Sequence, residues 1–273
     1  MSDSKPETHL ELGQVLIAIA EPHRETLDDY HRWFERDHMY SAVLIGPGAF
    51  AADRFVAPRA LKDLRYPADG EVFPRVREGT FVALYFIAAG MAEEHFAWSF
   101  EQSARLGRQG RNNPNRDLTL TWLCDYRGAV ARDPASVPPE IALDARYDGL
   151  VMVWIDRDDD SSQAELLRWL QEEALPRRLA ASGADQVLLF TPRDFPTPDP
   201  DVPLTPGAVA KNPRVGSGIL LLYFLNGDPR STWEAYFAGL SDAVAKGGLG
   251  RTALVAPFVP TERGKRARGE ELW

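Results

Sequence analysis

His38, Tyr85 and Arg54 are the residues of this 273-residue chain best suited to act on a small organic molecule. A histidine takes or releases a proton near neutral pH, so in an apolar setting His38 suits general acid/base work. It falls one helical turn after Phe34 and two after His31, within a segment from Glu25 to Leu44 whose apolar residues recur every three or four positions. A core histidine bonded to a backbone carbonyl near the helix end is the competing account of the same position. Glu35, at i−3 from His38, could orient the imidazole or simply be solvated. His31, at i−7, reads as structural. Tyr85 could donate its hydroxyl to a substrate oxygen, and Arg54 could meet an anionic substrate or enolate. Phe34, Trp98 and Trp122 could wall an apolar cavity. Ordinary packing, or solvation at a sheet edge for Arg54, competes with each of these roles.

Other chemistries have less support. Glu94 and His95 are adjacent and project in different directions, so no metal site is expected there. A haem iron needs one histidine facing a cavity, which His38 or His95 could supply. Asp156 to Asp160 lacks the glycine and distal glutamate of a calcium loop and reads as a helix-capping turn. The basic residues Arg59, Lys62, Arg65, Arg75 and Arg77 could attract an acidic ligand or form a solvated loop. No phosphate-cradling glycine loop, nucleophile elbow or dinucleotide fingerprint is present. The single cysteine, Cys124, excludes an internal disulfide and a cysteine-cluster zinc site.

Composition narrows the class. Hydrophobic residues make up 44% and charged residues 26%, the balance of a soluble globular protein. A net charge of −9 argues against a nucleic-acid partner. No apolar run approaches the ~20 residues that cross a bilayer. Met1 to Glu7 is polar and lacks the centre of a secretory signal, so a cytoplasmic protein without a membrane partner is expected.

These residues need elements to position them. Short apolar runs predict strands over Gln14–Ala20, Ala49–Ala57, Thr80–Ala88 and Leu118–Tyr126. The same order recurs at Gly149–Ile155, Ala184–Thr191, Gly218–Leu225 and Thr252–Val259. Helices are predicted over Glu25–Leu44, Met91–Leu106, Ser161–Ala181 and Ser231–Lys246. The expected units are residues 10–128, carrying the site, and 148–260. A proline-bearing linker over 129–147 joins them, and a charged tail covers 261–273. Val15, Ile17 and Ile19 alternate with Leu16, Ala18 and Ala20, so both strand faces are apolar and both need cover. Helices can cover one face of each sheet, and the other sheet most simply covers the second. The long connections Pro58–Gly79 and Pro192–Ser217 exceed what a hairpin needs, and each could fold over a cavity mouth.

The chain is internally repetitive. Trp33 and Trp169 lie 136 positions apart, and Leu84-Tyr85-Phe86 recurs as Leu222-Tyr223-Phe224 at an offset of 138. Where the first copy has His38, the second has Ala174. The predicted class is therefore α+β, two tandem ferredoxin-like βαββαβ repeats forming an intrachain pseudo-dimeric barrel. This pattern resembles the dimeric α/β-barrel superfamily, whose ferredoxin-like subunits usually pair as homodimers. Residues 30 to 55 resemble its EthD-type family through Trp33-Phe34, His38, Pro47-Gly48-Ala49-Phe50 and Arg54-Phe55. Met39-Tyr40 departs from the family's hydrophobic-proline pair, and Ala49 is inserted before Phe50. The fold likeness spans the chain, whereas the motif spans about a tenth of it.

The resemblance implies a range of activities. The superfamily includes cofactor-free quinone-forming monooxygenases of the antibiotic-biosynthesis type, polyketide cyclases, muconolactone-type isomerases and haem enzymes. The expected function is acid/base chemistry by His38 on a hydrophobic carbonyl or phenolic substrate, as cyclase, isomerase or cofactor-free monooxygenase. A haem-binding enzyme and a non-catalytic ligand-binding or assembly protein are the alternatives. Pairing within the chain allows a monomer; a homodimer remains open.

Overall fold

A computed structural model describes residues 10–68, 72–133, 138–143, 145–204, 209, 211–264 and 269–273. Eight antiparallel strands close a barrel. They are β1 (Leu12–Pro22), β2 (Ala49–Val56), β3 (Phe81–Ala88), β4 (Arg116–Ala131), β5 (Gly149–Arg157), β6 (Ala184–Arg193), β7 (Gly218–Leu225) and β8 (Gly250–Pro260). Their order around the barrel is β1-β3-β2-β8-β5-β7-β6-β4, so each unit has the same internal order and the two units meet at two seams. One seam, β4–β6, is long because β4 continues past residue 128 to Ala131. The other pairs only Phe55 with Pro260 and Val56 with Val259. Prolines at 257 and 260 remove ladder donors from β8, which limits that seam.

Inward-facing residues of both sheets fill the barrel. Val15, Ile17, Val82 and Leu84 meet Met152, Trp154, Leu220 and Leu222 in one continuous core. Trp122 belongs here too: its ring meets Trp154 edge-on at 5.1 Å across the two units. The helices lie outside. The first is composite, with α1 (Leu27–Trp33) continuing as a π-helix over Phe34–Leu44. A short α2 (Arg59–Lys62) follows β2, and α3 (Ala92–Arg108) runs between β3 and β4. After α4 (Pro139–Ala142), the second unit repeats the composite helix as α5 (Gln163–Trp169), a π-turn over Leu170–Ala174, and α6 (Leu175–Arg178). Its last helix is interrupted: a π-turn over Trp233–Phe237 precedes α7 (Leu240–Gly247), with Gly239 between them. Ser162 and Glu165 form a capping box at the start of α5.

The two long connections exchange sides. Tyr66, from the first unit, bridges to Val255, sets its ring 6.1 Å from Trp233 and donates its hydroxyl to the Phe237 carbonyl. Phe195, from the second unit, meets Phe96 on α3 at 5.2 Å. Each connection therefore covers the sheet–helix layer of the other unit. The basic residues of the first connection are tied internally. Arg65 is buried and donates to the carbonyls of Glu78 and Gly79, Arg77 pairs with Asp63 at 2.9 Å, and Arg75 pairs with Glu78 at 3.3 Å. Lys62, also buried, donates to Thr80 and to the Leu272 carbonyl. That bond docks the end of the charged tail, where Leu272 is buried. No helix among the described residues is long and apolar enough to cross a membrane.

Candidate active site in the N-terminal unit

The cavity lies between the outer face of the N-terminal sheet and its helices, and its shape follows from strand register. One row across the sheet reads Arg54 (β2), Ala83 (β3), Ala18 (β1), Thr121 (β4). The corresponding row of the second unit, two residues before Tyr223 on β7, reads Leu189, Leu221, Val153, Val255. Two alanines thus hollow the floor of the first unit, where leucine and valine fill the second. A polar residue stands at each end of the hollow. The resulting cavity, of about 110 Å³, is walled by Phe34, Phe81, Phe96 and Phe100 and closed above by Phe195 and Leu204 of the second unit. By that measure it holds roughly eight waters, the scale of a one- or two-ring molecule.

His38 reaches this cavity through the π-helix. In a π-turn, residue i+5 rather than i+4 comes back over residue i. Trp33 and His38 accordingly stack at 4.8 Å with 21° between their planes. The indole N–H of Trp33 donates to the Arg111 carbonyl at 2.7 Å, which fixes the stack. Among the described residues no protein group hydrogen-bonds the His38 ring. Burial first, then the Arg116 and Arg54 guanidiniums, push His38 down to about 3, so its imidazole is neutral at pH 7. Glu35 does not orient it; its carboxylate accepts from the Gly264 backbone N–H.

Arg54 is 3% exposed rather than solvated at an edge. Its guanidinium lies 4.1 Å over Phe34 and 4.4 Å over Phe81. Nη1 donates to His31 Nδ1 at 3.0 Å, while Nε and Nη2 have no partner. Burial lowers its pKa, yet an arginine stays charged. Arg116 lies 4.2 Å over Trp33 and donates to the Asn113 carbonyl. Neither arginine forms an ion pair among the described residues. Arg111, which also lines the cavity, differs: Asp37 holds it at 2.6 Å and also pairs with Arg36. Burial pushes the Asp37 carboxyl up, but the bonds from Arg36 and Arg111 outweigh this and hold it below its usual range.

Tyr85 and Thr121 complete the polar lining, and the hydroxyl of each is buried without a partner. Burial keeps the Tyr85 phenol well above its usual pKa, so it is available as a donor. The structure therefore brings together His38, Tyr85, Arg54 and Phe34 and leaves out two expected wall residues. Trp122 faces the barrel interior because strand alternation sends it opposite Thr121. Trp98 lies on the outside of α3 against Gly46, where a Cβ would meet its ring at 2.5 Å. Arg116, Thr121 and the two floor alanines were missed. Comparing the two copies at the offset that aligns Tyr85 with Tyr223 would have set Ala83 against Leu221.

Of the two histidines that could serve a haem, only His38 lines the cavity, with one ring face stacked on Trp33. His95 is fully buried away from the cavity, with Nδ1 tied to the Pro47 carbonyl at 3.0 Å.

No family model and no curated protein matches this sequence. Solved structures do. An anthrone oxidase-like protein superposes with a TM-score of 0.54 at 11% identity, over 94% of this chain and 95% of its own. A putative chlorite dismutase gives 0.50 at 12% identity, over 96% and 100%. The chain has the dimeric α/β-barrel fold. In this barrel both ferredoxin-like units belong to one chain, and the cavity described above lies in the first of them. A putative monooxygenase from Fusobacterium nucleatum subsp. nucleatum also aligns, at 10% identity and a TM-score of 0.44 over 94% of this chain and 96% of its own. At these identities the likeness establishes the fold, and function has to be argued from the site.

Proposed function

We propose that the barrel is a small-molecule enzyme that moves a proton on a hydrophobic carbonyl or phenolic substrate bound in the N-terminal cavity. The observation that carries this is the buried Arg54 guanidinium, whose Nε and Nη2 are unpartnered in an apolar cavity shared with a neutral histidine. A free cation held out of water favours any step that creates negative charge beside it.

His38 takes the proton from a phenol or from the carbon next to a carbonyl. An imidazolium and an oxyanion result. Without substrate, protonation of His38 is opposed by burial and by two guanidiniums. An oxyanion forming between Arg54, Arg116 and the Tyr85 hydroxyl offsets both guanidinium charges and removes much of that opposition. Base and oxyanion site are thus coupled, and proton transfer becomes favourable only with substrate in place. Isomerisation then returns the proton to a different carbon, cyclisation uses the enolate carbon as nucleophile, and oxygenation needs dioxygen as co-reactant. All three share the first step.

That step is testable without knowing the natural substrate. 2-Tetralone in deuterium oxide should exchange its α-protons faster with the protein than without it. His38→Ala should abolish the acceleration while leaving the melting temperature unchanged. Unchanged exchange in that variant removes His38 from the chemistry. Loss of melting temperature alone returns it to the role of a packed core residue.

A further inference from the structure

Arg54 holds its charge in an unusual way. The buried groups beside it are neutral: His31 accepts its hydrogen bond at 3.0 Å and Tyr30 lies 5.1 Å below it, with no carboxylate paired to it among the described residues. A guanidinium nitrogen can only donate, so His31 Nδ1 must be the acceptor, and the imidazole at that contact is neutral. His31 Nε2 then carries the hydrogen and has no partner. Burial, with Arg54 second, pushes His31 down to about 3, which agrees with the geometry. The imidazole thus aims the guanidinium without cancelling any of its charge. A carboxylate at position 31 would have made a more stable internal pair and left nothing for a ligand. The matching position on β6 of the second unit is Leu189, so the barrel itself does not require a charge there.

We propose that the cognate ligand is an aromatic acid whose carboxylate docks on Arg54, and that His31 is a positioning residue that keeps Arg54 free to receive it. This rests on the N-terminal cavity being the functional site. It goes further by requiring an anion that is present before any proton moves, which leaves Arg116 and the Tyr85 hydroxyl to meet the developing oxyanion. A transient oxyanion relieves the buried charge only during turnover, whereas a carboxylate relieves it throughout binding. The aromatic body fits the walls of Phe34, Phe81, Phe96 and Phe100, and the cavity volume of about 110 Å³ limits it to one or two rings.

The test compares 1-naphthoate with its neutral isostere 1-naphthamide by titration calorimetry at pH 7. Wild-type protein should bind the acid about tenfold or more tightly than the amide. His31→Gln, which keeps a neutral acceptor, should preserve that ratio. His31→Glu, which supplies a carboxylate to Arg54, should bring the ratio to about one and leave amide affinity intact. Equal binding of acid and amide by wild-type protein, or an undiminished ratio in His31→Glu, overturns the proposal; the first needs no variant and so stands whatever the folding of the others. Absence of acid binding at millimolar concentration overturns it too. Ala83→Leu separates the two levels, because it fills the floor as Leu221 does in the second unit. Loss of both ligands in Ala83→Leu supports the site. Naphthoate bound as tightly as by wild type would mean the ligand lies elsewhere, and the site falls together with the proposal. A ratio of one in wild-type protein, with binding still lost in Ala83→Leu, overturns the carboxylate proposal alone.

Discussion

The hydroxyls of Tyr223 and Tyr236 lie 3.2 Å apart in the second unit, whereas Tyr85, at the strand position matching Tyr223, has a hydroxyl with no partner. The same residue in the same place is satisfied in one unit and left available in the other. Removing an unpaired buried hydroxyl is close to neutral, while removing one member of a pair strands the other. Tyr85→Phe should therefore change unfolding free energy by less than about 0.5 kcal/mol, and Tyr223→Phe should lower it by about 1–2 kcal/mol. Urea unfolding of both variants checks this. Equal destabilisation by the two would mean that Tyr85 has a structural partner and is not held for a ligand. Under the proposed chemistry Tyr85→Phe also slows α-proton exchange.

Acid should destabilise the protein at a higher pH than its carboxylates alone would dictate. Burial and nearby guanidiniums hold both His31 and His38 at about 3, against 6.5 in an unfolded chain. The unfolded state thus binds more protons throughout that window, so this stability is complete above pH 6.5 and declines as pH falls toward 3. Each histidine contributes up to about 1.4 kcal/mol per pH unit. His95, lowered by burial and partly restored by the Pro47 carbonyl, acts in the same direction. Urea unfolding at pH 7, 6 and 5 should show this slope, and His38→Gln should flatten it by about one proton. A flat profile between pH 7 and 5 would contradict the burial of these rings.

Filling the floor should separate stability from binding. Ala18 faces the cavity in the position that Val153 occupies in the second unit. Ala18→Val adds apolar volume where there is space, so stability should hold or rise by up to about 1 kcal/mol. Binding of a two-ring ligand should fall at least tenfold, by calorimetry, because the added methyls occupy its site. A variant that binds normally would place the ligand away from the row formed by Arg54, Ala83, Ala18 and Thr121.

Most of this architecture was legible because it follows from short-range pattern. Continuous apolar runs marked all eight strands, and apolarity on both faces required a second sheet behind each one. His38 and Arg54 were legible as candidates by residue type and by the resemblance around them. The side each residue faces was harder. Trp122 and Thr121 are neighbours, and a one-residue difference in strand phase decides which enters the barrel and which the cavity. The stacking of His38 on Trp33 was hidden because a period of 3.6 pairs His38 with Phe34, and nothing in the sequence announces a π-turn. The neutral character of the Arg54 partner depends on a contact between residues 23 positions apart, from a helix to a strand. The basic connection read as either an acid-attracting or a solvated loop because charge can be counted in a sequence, whereas carbonyl partners such as those of Arg65 cannot.

The exchanged connections predict that damage to one unit is felt in the other. Tyr66 is fixed by its hydroxyl, its ring contact with Trp233 and its backbone bridge to Val255, so it acts as a plug for the second unit. Phe195 contributes an edge contact to Phe96 and otherwise roofs the cavity. Tyr66→Ala should therefore lower unfolding free energy by about 3 kcal/mol, as truncation of a packed aromatic does. Phe195→Ala should lower it by only about 1 kcal/mol, the worth of an aromatic pair with modest burial. Its larger effect should be kinetic: ligand dissociation, followed by the stopped-flow change in tryptophan fluorescence, should quicken about tenfold, because the roof closes the exit without holding the fold. If dissociation is unchanged while stability drops as far as in Tyr66→Ala, the two connections play the same structural part, and ligand enters the cavity by another route.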